Sequence, residues 1–160
     1  MSVSEVRDVP PAGLFDRLCR DAQPIRTSEA YQAAVLADLE DLLGTTRRWS
    51  RAELAAHGEV ARSVLNYGAP PLTGRVVTRD SAEQLAAEVR ATVLRFDPRF
   101  DPSSFRVTST VDPDRTSLDA ITLRLEGQLR GFPKPVPFLA LASANLESGS
   151  LEFVPGVAVL

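Results

Sequence analysis

The sequence predicts an α+β fold in which N-terminal helices pack on a small C-terminal antiparallel β-meander. Apolar residues recur at the 3.6-residue spacing of helices as far as Phe96. From Phe105 onward the period changes to two, which is typical of half-buried strands. Helices come first and strands last, and this order favours an α+β arrangement over alternating βαβ units.

The first helix is expected to begin at Ser28, a residue type that caps helix N-termini. Six apolar side chains lie on or beside one face at helical spacing: Tyr31, Val35, Leu36, Leu39, Leu42 and Leu43. Gly44 is expected to end the helix as its C′ residue. Arg47 and Arg48 follow, where the negative end of the helix dipole favours cations.

A second, shorter helix is predicted from Ser50 and Glu53, which have the spacing of a capping box. A further turn is expected around Val60 to Leu65. Pro70-Pro71 then forces the chain into an extended conformation, because a residue before proline is driven out of the helical region.

The third helix is expected to be capped by Asp80 or Ser81. Its apolar face carries four residues at helical spacing: Leu85, Val89, Val93 and Phe96. Pro98 should end this helix, because proline lacks the backbone N–H and its ring clashes with the preceding turn.

The C-terminal part shows the two-residue period of strands in three places. The alternating residues are Phe105, Val107, Ser109 and Val111, then Ile121, Leu123, Leu125 and Leu129, and finally Leu151 and Phe153. The sequence Glu147-Ser148-Gly149-Ser150 predicts a hairpin turn between the last two strands.

The length of 160 residues fits one domain with a sizeable core, which we place at residues 14–160 after a flexible tail at residues 1–13. The apolar fraction of 44% and the charged fraction of 24% are typical of a soluble globular protein. The net charge of −3 gives no electrostatic reason to expect nucleic acid as a partner. No apolar run approaches the roughly 18 residues of a membrane helix, so no membrane insertion is expected. No signal-peptide pattern appears and there is a single cysteine, Cys19, which together predict a cytoplasmic location.

No catalytic, cofactor or metal site is predicted. Asp38, Glu40 and Asp41 form a dense acidic cluster, but glycoside hydrolysis needs two carboxylates that face each other across a cleft. These three lie on one predicted helix, where they indicate a solvated face or a contact surface for a partner's arginines. His57 and Cys19 are too few for a zinc site, and no nucleophile elbow or phosphate-binding loop is present.

Two short motifs have the chemistry of rigid corners. In Asn66-Tyr67-Gly68, the asparagine and the glycine tolerate turn conformations, and the tyrosine can bury its ring. A structural corner is one interpretation of this motif and a partner contact is the other. In Asp97-Pro98-Arg99, proline fixes the backbone between an acid and a guanidinium, with Phe96 and Phe100 on either side. This pair could bind a partner, or it could close a local ion pair.

These two motifs, together with the segment from Asp38 to Arg48, occur at the order and spacing of a known family. The chain resembles, from about Leu14 to its end, the small baseplate wedge subunits of contractile injection machines, in particular the TssE family of type VI secretion systems. The related phage tail wedge proteins were once labelled lysozyme-like. The family has Glu-Pro-Arg where this chain has Asp97-Pro98-Arg99, so the acid here is one methylene shorter.

The resemblance implies a structural part and no enzyme, cofactor or metal. It implies binding to the larger wedge proteins, the TssF and TssG types, through residues of the three motifs: Arg47, Arg48, Asn66, Tyr67, Asp97, Pro98 and Arg99. It also implies that the C-terminal sheet recruits a strand of the contractile sheath. Three alternatives remain open at this point: the equivalent wedge protein of a phage or phage-derived particle, a regulatory adaptor on the same fold, and a peptidoglycan hydrolase.

Overall fold

The computed structural model describes residues 25–50, 52–110, 120–131 and 134–154. Within these ranges the helices are α1 (Ser28–Gly44), α2 (Gly58–Arg62) and α3 (Arg79–Phe96), with a 3₁₀ turn at Val64–Asn66 between α2 and α3. The strands follow as β1 (Arg106–Thr110), β2 (Ala120–Leu129), β3 (Val136–Asn145) and β4 (Leu151–Phe153). The predicted α+β fold is confirmed. The predicted tail at residues 1–13 and the strand position Val111 lie outside the described residues.

The N-cap of helix α1 lies one residue before the predicted cap, and the helix ends differently from the prediction. Thr27, not Ser28, is the N-cap, and its hydroxyl accepts a hydrogen bond from the backbone N–H of Ala30 at 3.2 Å. Gly44 is the last helical residue, and Thr45 leaves the helix in an extended conformation. The prediction of Gly44 as a C′ residue is therefore wrong. The Thr45 hydroxyl donates to the carbonyl of Asp41 at 3.0 Å. This hydrogen bond satisfies one of the free carbonyls at the helix end, which in other helices the backbone around a left-handed C′ glycine satisfies.

The capping box of the middle segment forms, but the regular helix predicted after it does not. The backbone N–H of Ser50 donates to the Glu53 carboxylate at 2.8 Å, and the N–H of Glu53 donates to the Ser50 hydroxyl at 3.3 Å. The chain then makes turns over residues 52–56, where only Leu54 is buried. Without an apolar stripe to bury, this segment lacks the tertiary packing that stabilises most helices.

Helix α3 is capped by Thr78, two residues before the predicted Asp80. The Thr78 hydroxyl accepts from the N–H of Ser81 at 3.1 Å, and the Ser81 hydroxyl accepts from the N–H of Thr78 at 3.0 Å. Ser81 is thus part of the capping box but is not the cap itself. The helix ends at Phe96, before Pro98, as predicted. Leu85, Val89 and Val93 are fully buried, which confirms the predicted apolar face.

The strands form an antiparallel meander in the order β1-β2-β3-β4. The register pairs Val107 with Leu125, Leu123 with Ala142, and Ala144 with Leu151. One face of the sheet therefore carries the buried side chains: Ile121, Leu123, Leu125, Leu129, Val136, Phe138, Ala140, Ala142, Ala144 and Leu151. This face packs with the apolar faces of α1 and α3 in one continuous core.

The predicted hairpin turn at residues 147–150 is confirmed. The side-chain oxygen of Asn145 accepts hydrogen bonds from the N–H groups of Glu147 and Ser148, both at 2.9 Å. Gly149 adopts a φ of +74°, a left-handed conformation that glycine enters without a steric penalty.

Candidate functional site

A single arginine and two aspartates form what we call the acid-rich cluster: Asp38, Asp97 and Arg99. Arg99 binds Asp97 through two parallel bonds, from Nε to Oδ1 at 2.8 Å and from Nη2 to Oδ2 at 2.7 Å. The backbone N–H of Arg99 also donates to Asp97 Oδ1 at 3.0 Å. Asp97 is buried, and these three bonds keep its carboxylate satisfied. The local ion pair considered from the sequence is therefore present.

The same guanidinium joins the end of α3 to α1. Arg99 Nη2 lies 2.7 Å from Asp38 Oδ2, so one cation serves two carboxylates. Burial by itself would lower the pKa of Arg99, but the hydrogen bonds and charge of Asp97, and then of Asp38, outweigh it and raise that pKa. The sequence suggested that the α1 acids face a solvated surface or a partner's arginines. For Asp38 the structure supplies an arginine of the same chain, whereas Glu40 and Asp41 are exposed.

The Asn66-Tyr67-Gly68 motif forms a corner whose backbone joins the end of α1. Ala69 N–H donates to the carbonyl of Thr45 at 2.7 Å, and Arg47 N–H donates to the carbonyl of Ala69 at 2.9 Å. Gly68 has a φ of +119°, and a Cβ on it would lie 2.4 Å from the Thr45 carbonyl oxygen. Only glycine fits this close approach, which is the structural interpretation of the motif.

Tyr67 connects this corner to the acid-rich cluster. Its ring packs edge-on against Phe96 at a centroid distance of 5.3 Å. Burial raises the pKa of the Tyr67 hydroxyl, and the charges of Asp41, Asp38 and Asp97 raise it further. The fold therefore brings two of the sequence motifs and the acids of α1 to one place.

Arg47 belongs to a second group, the arginine-rich cluster: Arg47, Arg75 and Glu88. Both arginines place an Nη2 atom 3.0 Å from the same oxygen, Glu88 Oε2. The side chain of Arg47 is only 13% exposed, so its guanidinium is used in a contact within the chain and offers little surface to a partner. Arg48 is exposed, with its guanidinium carbon 5.3 Å from the centre of the Trp49 ring.

Sequence reasoning missed Glu88 and the contact between Asp38 and Arg99. Both pairings join residues that are far apart in the chain, and no local spacing indicates them. Sequence reasoning also missed that Val64 and Leu65 are exposed beside the buried Asn66. The signal available for these was weak, because a 3₁₀ turn of three residues has no periodicity.

The sheet has β1 and β4 at its edges. The N–H and C=O of one strand residue point the same way, and successive residues alternate. The N–H of Gln128 on β2 donates to the Ser104 hydroxyl, on the β1 side of the sheet. The backbone N–H and C=O groups of even-numbered β2 residues therefore point toward β1, where they pair with Arg106, Thr108 and Thr110. The backbone groups of Val107 and Ser109 then point away from β2, out of the sheet edge. Within the described part of the chain nothing bonds to these groups, and the carbonyl of Phe105 at the start of this edge binds Arg90 Nε at 2.9 Å.

The described ranges contain neither a cluster of metal-binding side chains nor a membrane-spanning helix. No group of three His, Cys, Asp or Glu side chains there is arranged to hold a metal ion. Likewise, no helix in the described residues is both long enough and apolar enough to cross a membrane.

Comparison with protein families places most of the described chain in a known family. The family model described as baseplate wedge protein gp25 matches residues 29–134, which is more than half of the chain. The match runs from the first turn of α1 to the end of β2 and so includes both clusters and the Asn66-Tyr67-Gly68 corner. Comparison with curated protein sequences and with solved structures gives no significant match.

Proposed function

The chain belongs to the baseplate wedge protein gp25 family, and from this premise we propose that it is the small wedge subunit of a type VI secretion baseplate. The family match over residues 29–134 is the observation that carries the proposal. The order and spacing of the three sequence motifs resemble the TssE family, and the same motifs also fit the wedge protein of a phage tail. The proposed location is the cytoplasm, where the baseplate would assemble.

We place the contact with the larger wedge proteins, the TssF and TssG types, around the acid-rich cluster. Two bonds to Asp97 hold the Arg99 side chain in one orientation, and 27% of it is still exposed. Pro98 and Asp38 beside it are exposed as well. A partner would therefore meet a charged surface that is already rigid, which lowers the entropy cost of binding. Arg48 is exposed and can add a contact, whereas Arg47 and Asn66 support the surface from within.

Sheath recruitment is proposed to use an edge of the sheet. Strand β1 has the sequence Arg-Val-Thr-Ser-Thr, without proline or glycine, and is rich in β-branched residues. Its outward N–H and C=O groups at Val107 and Ser109 match what an added strand requires. Strand β4 is shorter, with only three residues. We therefore favour β1 as the edge that would pair with a sheath strand.

Co-purification tests the wedge assignment. The full chain, tagged and co-expressed with the two larger wedge proteins of the same gene cluster, should purify as a complex that survives gel filtration. The wild-type chain expressed without these two partners should elute from gel filtration later than the complex. Failure of the three wild-type proteins to associate would overturn the proposed function.

A test for strand addition uses Ser109→Pro, which removes an outward N–H while the β1–β2 ladder keeps its own donors. The variant should fold and join the wedge complex, yet sheath assembly should not begin on it. Thr108→Pro is the matched disruptive control, because its N–H faces β2 and its loss should destabilise the sheet itself. Normal sheath assembly with Ser109→Pro would count against the β1 edge.

The family match also fits the wedge protein of a phage tail or phage-derived particle. Deleting the gene distinguishes the two, because a secretion-system part is required for contact-dependent secretion and a phage part is required for infectious or bactericidal particles.

We also infer that the protein is not a hydrolase. Asp38, Glu40 and Asp41 are exposed residues of one helix, and Asp38 binds Arg99 rather than facing another carboxylate across a cleft. The purified protein should not clear a peptidoglycan suspension. Clearing that is lost in Asp41→Asn would overturn this inference.

A further inference from the structure

The outward edge of β1 is closed at its start by an arginine of α3. In a trans peptide the C=O of one residue points opposite to the N–H of the next. The backbone of Arg106 faces its partner Glu126 on β2, so the carbonyl of Phe105 points out of the sheet edge. Arg90 Nε donates to this carbonyl at 2.9 Å, the distance at which the backbone N–H of an added strand would donate. The guanidinium therefore occupies the place of that donor.

Both backbone groups of Phe105 are used, and the residue is anchored. Its N–H donates to the carbonyl of Asp101 at 2.9 Å. Its side chain is fully buried and packs on the ring of Phe100 at a centroid distance of 4.5 Å. Arg90 is held as well, because its Nη2 donates to the carbonyl of Pro102 at 2.9 Å. Pairing along this edge can therefore begin only at the next outward residue.

The side chains of β1 do not define a register by themselves. Thr108, Ser109 and Thr110 are small hydroxyl residues, so a strand shifted by two residues would meet nearly the same side chains. Register is weakly specified along polar strands of this kind. A shift toward the start of β1 would place a partner residue opposite Phe105, where neither backbone group is free. This is the shift that Arg90 opposes.

The position of Arg90 is not explained by an ion pair. Its described hydrogen bonds both go to backbone carbonyls, and no carboxylate of the described residues lies within ion-pair distance of it. Asp101, the acid next to Pro102, instead binds Arg130 and the Ser103 hydroxyl. The effect of Arg90 on this edge is therefore on the backbone acceptors.

We propose that Arg90 is a register stop for the strand that adds to β1, by which we mean a side chain that fixes where backbone pairing begins. The sheath strand pairs from Val107 toward the end of β1 and does not continue past Val107 in the other direction. The inference rests on the proposed strand addition and adds the residue that sets its register. Arg90 is a positioning residue, since it makes no bond to the strand and acts by withholding one carbonyl.

Disulfide cross-linking reads this register. The backbone groups of Thr108 point to β2, so Thr108 and the residue opposite it on an added strand form a non-hydrogen-bonded pair, whose Cα atoms lie close enough for a disulfide. The full chain with Cys19→Ser and Thr108→Cys is assembled with the larger wedge proteins and the sheath subunit of the same gene cluster. The sheath subunit carries single cysteines, placed in turn along its extended segments. With Arg90 in place, cysteine 108 should cross-link to one sheath position.

Arg90→Met keeps the aliphatic stem and removes the donors. A second cross-link, two sheath residues away from the first, should then rise by about fivefold or more in its share of the product. One recovered hydrogen bond of ordinary strength gives a change of this size. Arg90→Lys should suppress the second cross-link in part, because its ammonium can still donate to the Phe105 carbonyl.

Arg95→Met is the matched control. Arg95 lies on the same helix and also donates to a backbone carbonyl, that of Ala61 in α2, at 2.8 Å. This contact is not at the sheet edge, so the variant should keep the single cross-link. Melting curves show that each variant is folded under the conditions of the experiment.

The outcomes separate this inference from the proposed function. Cross-links at several sheath positions with Arg90 in place would overturn the inference, and that measurement needs no variant of Arg90. A single, unchanged position in folded Arg90→Met would also overturn it, and would leave Arg90 only a tie between α3 and the start of β1. If no sheath position cross-links to cysteine 108 and Ser109→Pro assembles sheaths normally, strand addition to β1 fails and the inference fails with it.

Discussion

The acid-rich and arginine-rich clusters have opposite compositions. In the first, Arg99 serves Asp38 and Asp97; in the second, Glu88 serves Arg47 and Arg75. The clusters also differ in exposure. The side chains of Arg47 and Glu88 are 13% and 22% exposed, whereas the side chain of Asp38 is 47% exposed.

This difference separates two arginines that the family resemblance treats alike. Arg47 closes the structure, because it ties the chain after α1 to α3 and has little surface left. Arg99 also closes a local pair, but its cluster reaches the surface through Asp38. Each cluster takes one residue from the segment Asp38 to Arg48, but only the acid-rich cluster leaves charged side chains exposed to a partner.

Among substitutions in the two clusters and the corner between them, Gly68→Ala should have the largest effect, because it perturbs the backbone that connects both clusters. The added Cβ would lie 2.4 Å from the Thr45 carbonyl oxygen and 2.9 Å from the Arg47 nitrogen, at a φ of +119°. We expect a loss of about 2–4 kcal/mol in the free energy of unfolding. Denaturant unfolding measures it. Gly74→Ala, where φ is +81° but nothing lies near the added Cβ, is the control that isolates the steric contribution. Equal losses in both variants would show that the close approach is unimportant.

Arg99→Ala should come next, because it leaves the buried Asp97 carboxylate without its cation. Breaking a buried pair of this kind costs several kcal/mol, and the partial exposure of Arg99 reduces the expected loss to about 2–3. Arg99→Lys should recover only part of it, since lysine cannot reproduce the two parallel bonds to Asp97.

Binding separates the structural role of Arg99 from its proposed contact role. Affinity for the larger wedge proteins is to be measured at a temperature where the Arg99→Ala variant is still folded. Weakened binding there supports a contact. Normal affinity with lowered stability would assign Arg99 a purely local role. Asp97→Glu, which restores the family's usual acid, should be tolerated in both assays.

Glu88→Gln should destabilise by a smaller amount. It leaves Arg47 and Arg75 near each other without a carboxylate, although the amide oxygen can still accept a hydrogen bond. We expect a loss of about 1–2 kcal/mol, with wedge binding unchanged in the folded protein. Thermal unfolding and the binding titration test the two parts. Loss of affinity without loss of stability would place this cluster, too, at a partner surface.

Asp38→Asn should have the smallest effect on stability, about 0–1 kcal/mol, because its carboxylate is half exposed and Arg99 keeps Asp97. The neighbouring Leu39 is fully buried, and Leu39→Ala should cost about 2–5 kcal/mol. Melting curves of Asp38→Asn and Leu39→Ala compare the loss of stability at two adjacent residues of α1. Similar losses would mean that the ion pair to Asp38 is structural.

The sequence was sufficient for features that depend on local patterns. The buried face of α1 from Tyr31 to Leu42, the ends of α3 to within a few residues and the alternation of β2 all follow from periods of 3.6 and two. Caps were misassigned because Thr27 and Ser28, like Thr78 and Asp80, are all good capping residues, and tertiary packing chooses between them. The Gly44 prediction failed because Thr45 satisfies the helix end in another way.

The candidate site was only partly accessible from the sequence, since its parts meet through tertiary structure. The Asp97–Arg99 pair lies two residues apart and could be proposed from Pro98 alone. The packing of the helices decides three other features: the contact between Arg99 and Asp38, the ion pair between Arg47 and Glu88, and the exposure of Leu65. No spacing along the chain encodes them.

The central claim, that this chain is a structural part of a contractile baseplate, is tested most directly by sheath assembly in living cells. A strain that lacks the gene and carries a fluorescent sheath subunit should form no extended sheaths, and the wild-type gene supplied in trans should restore them. Normal sheath assembly in the deletion strain would contradict the account.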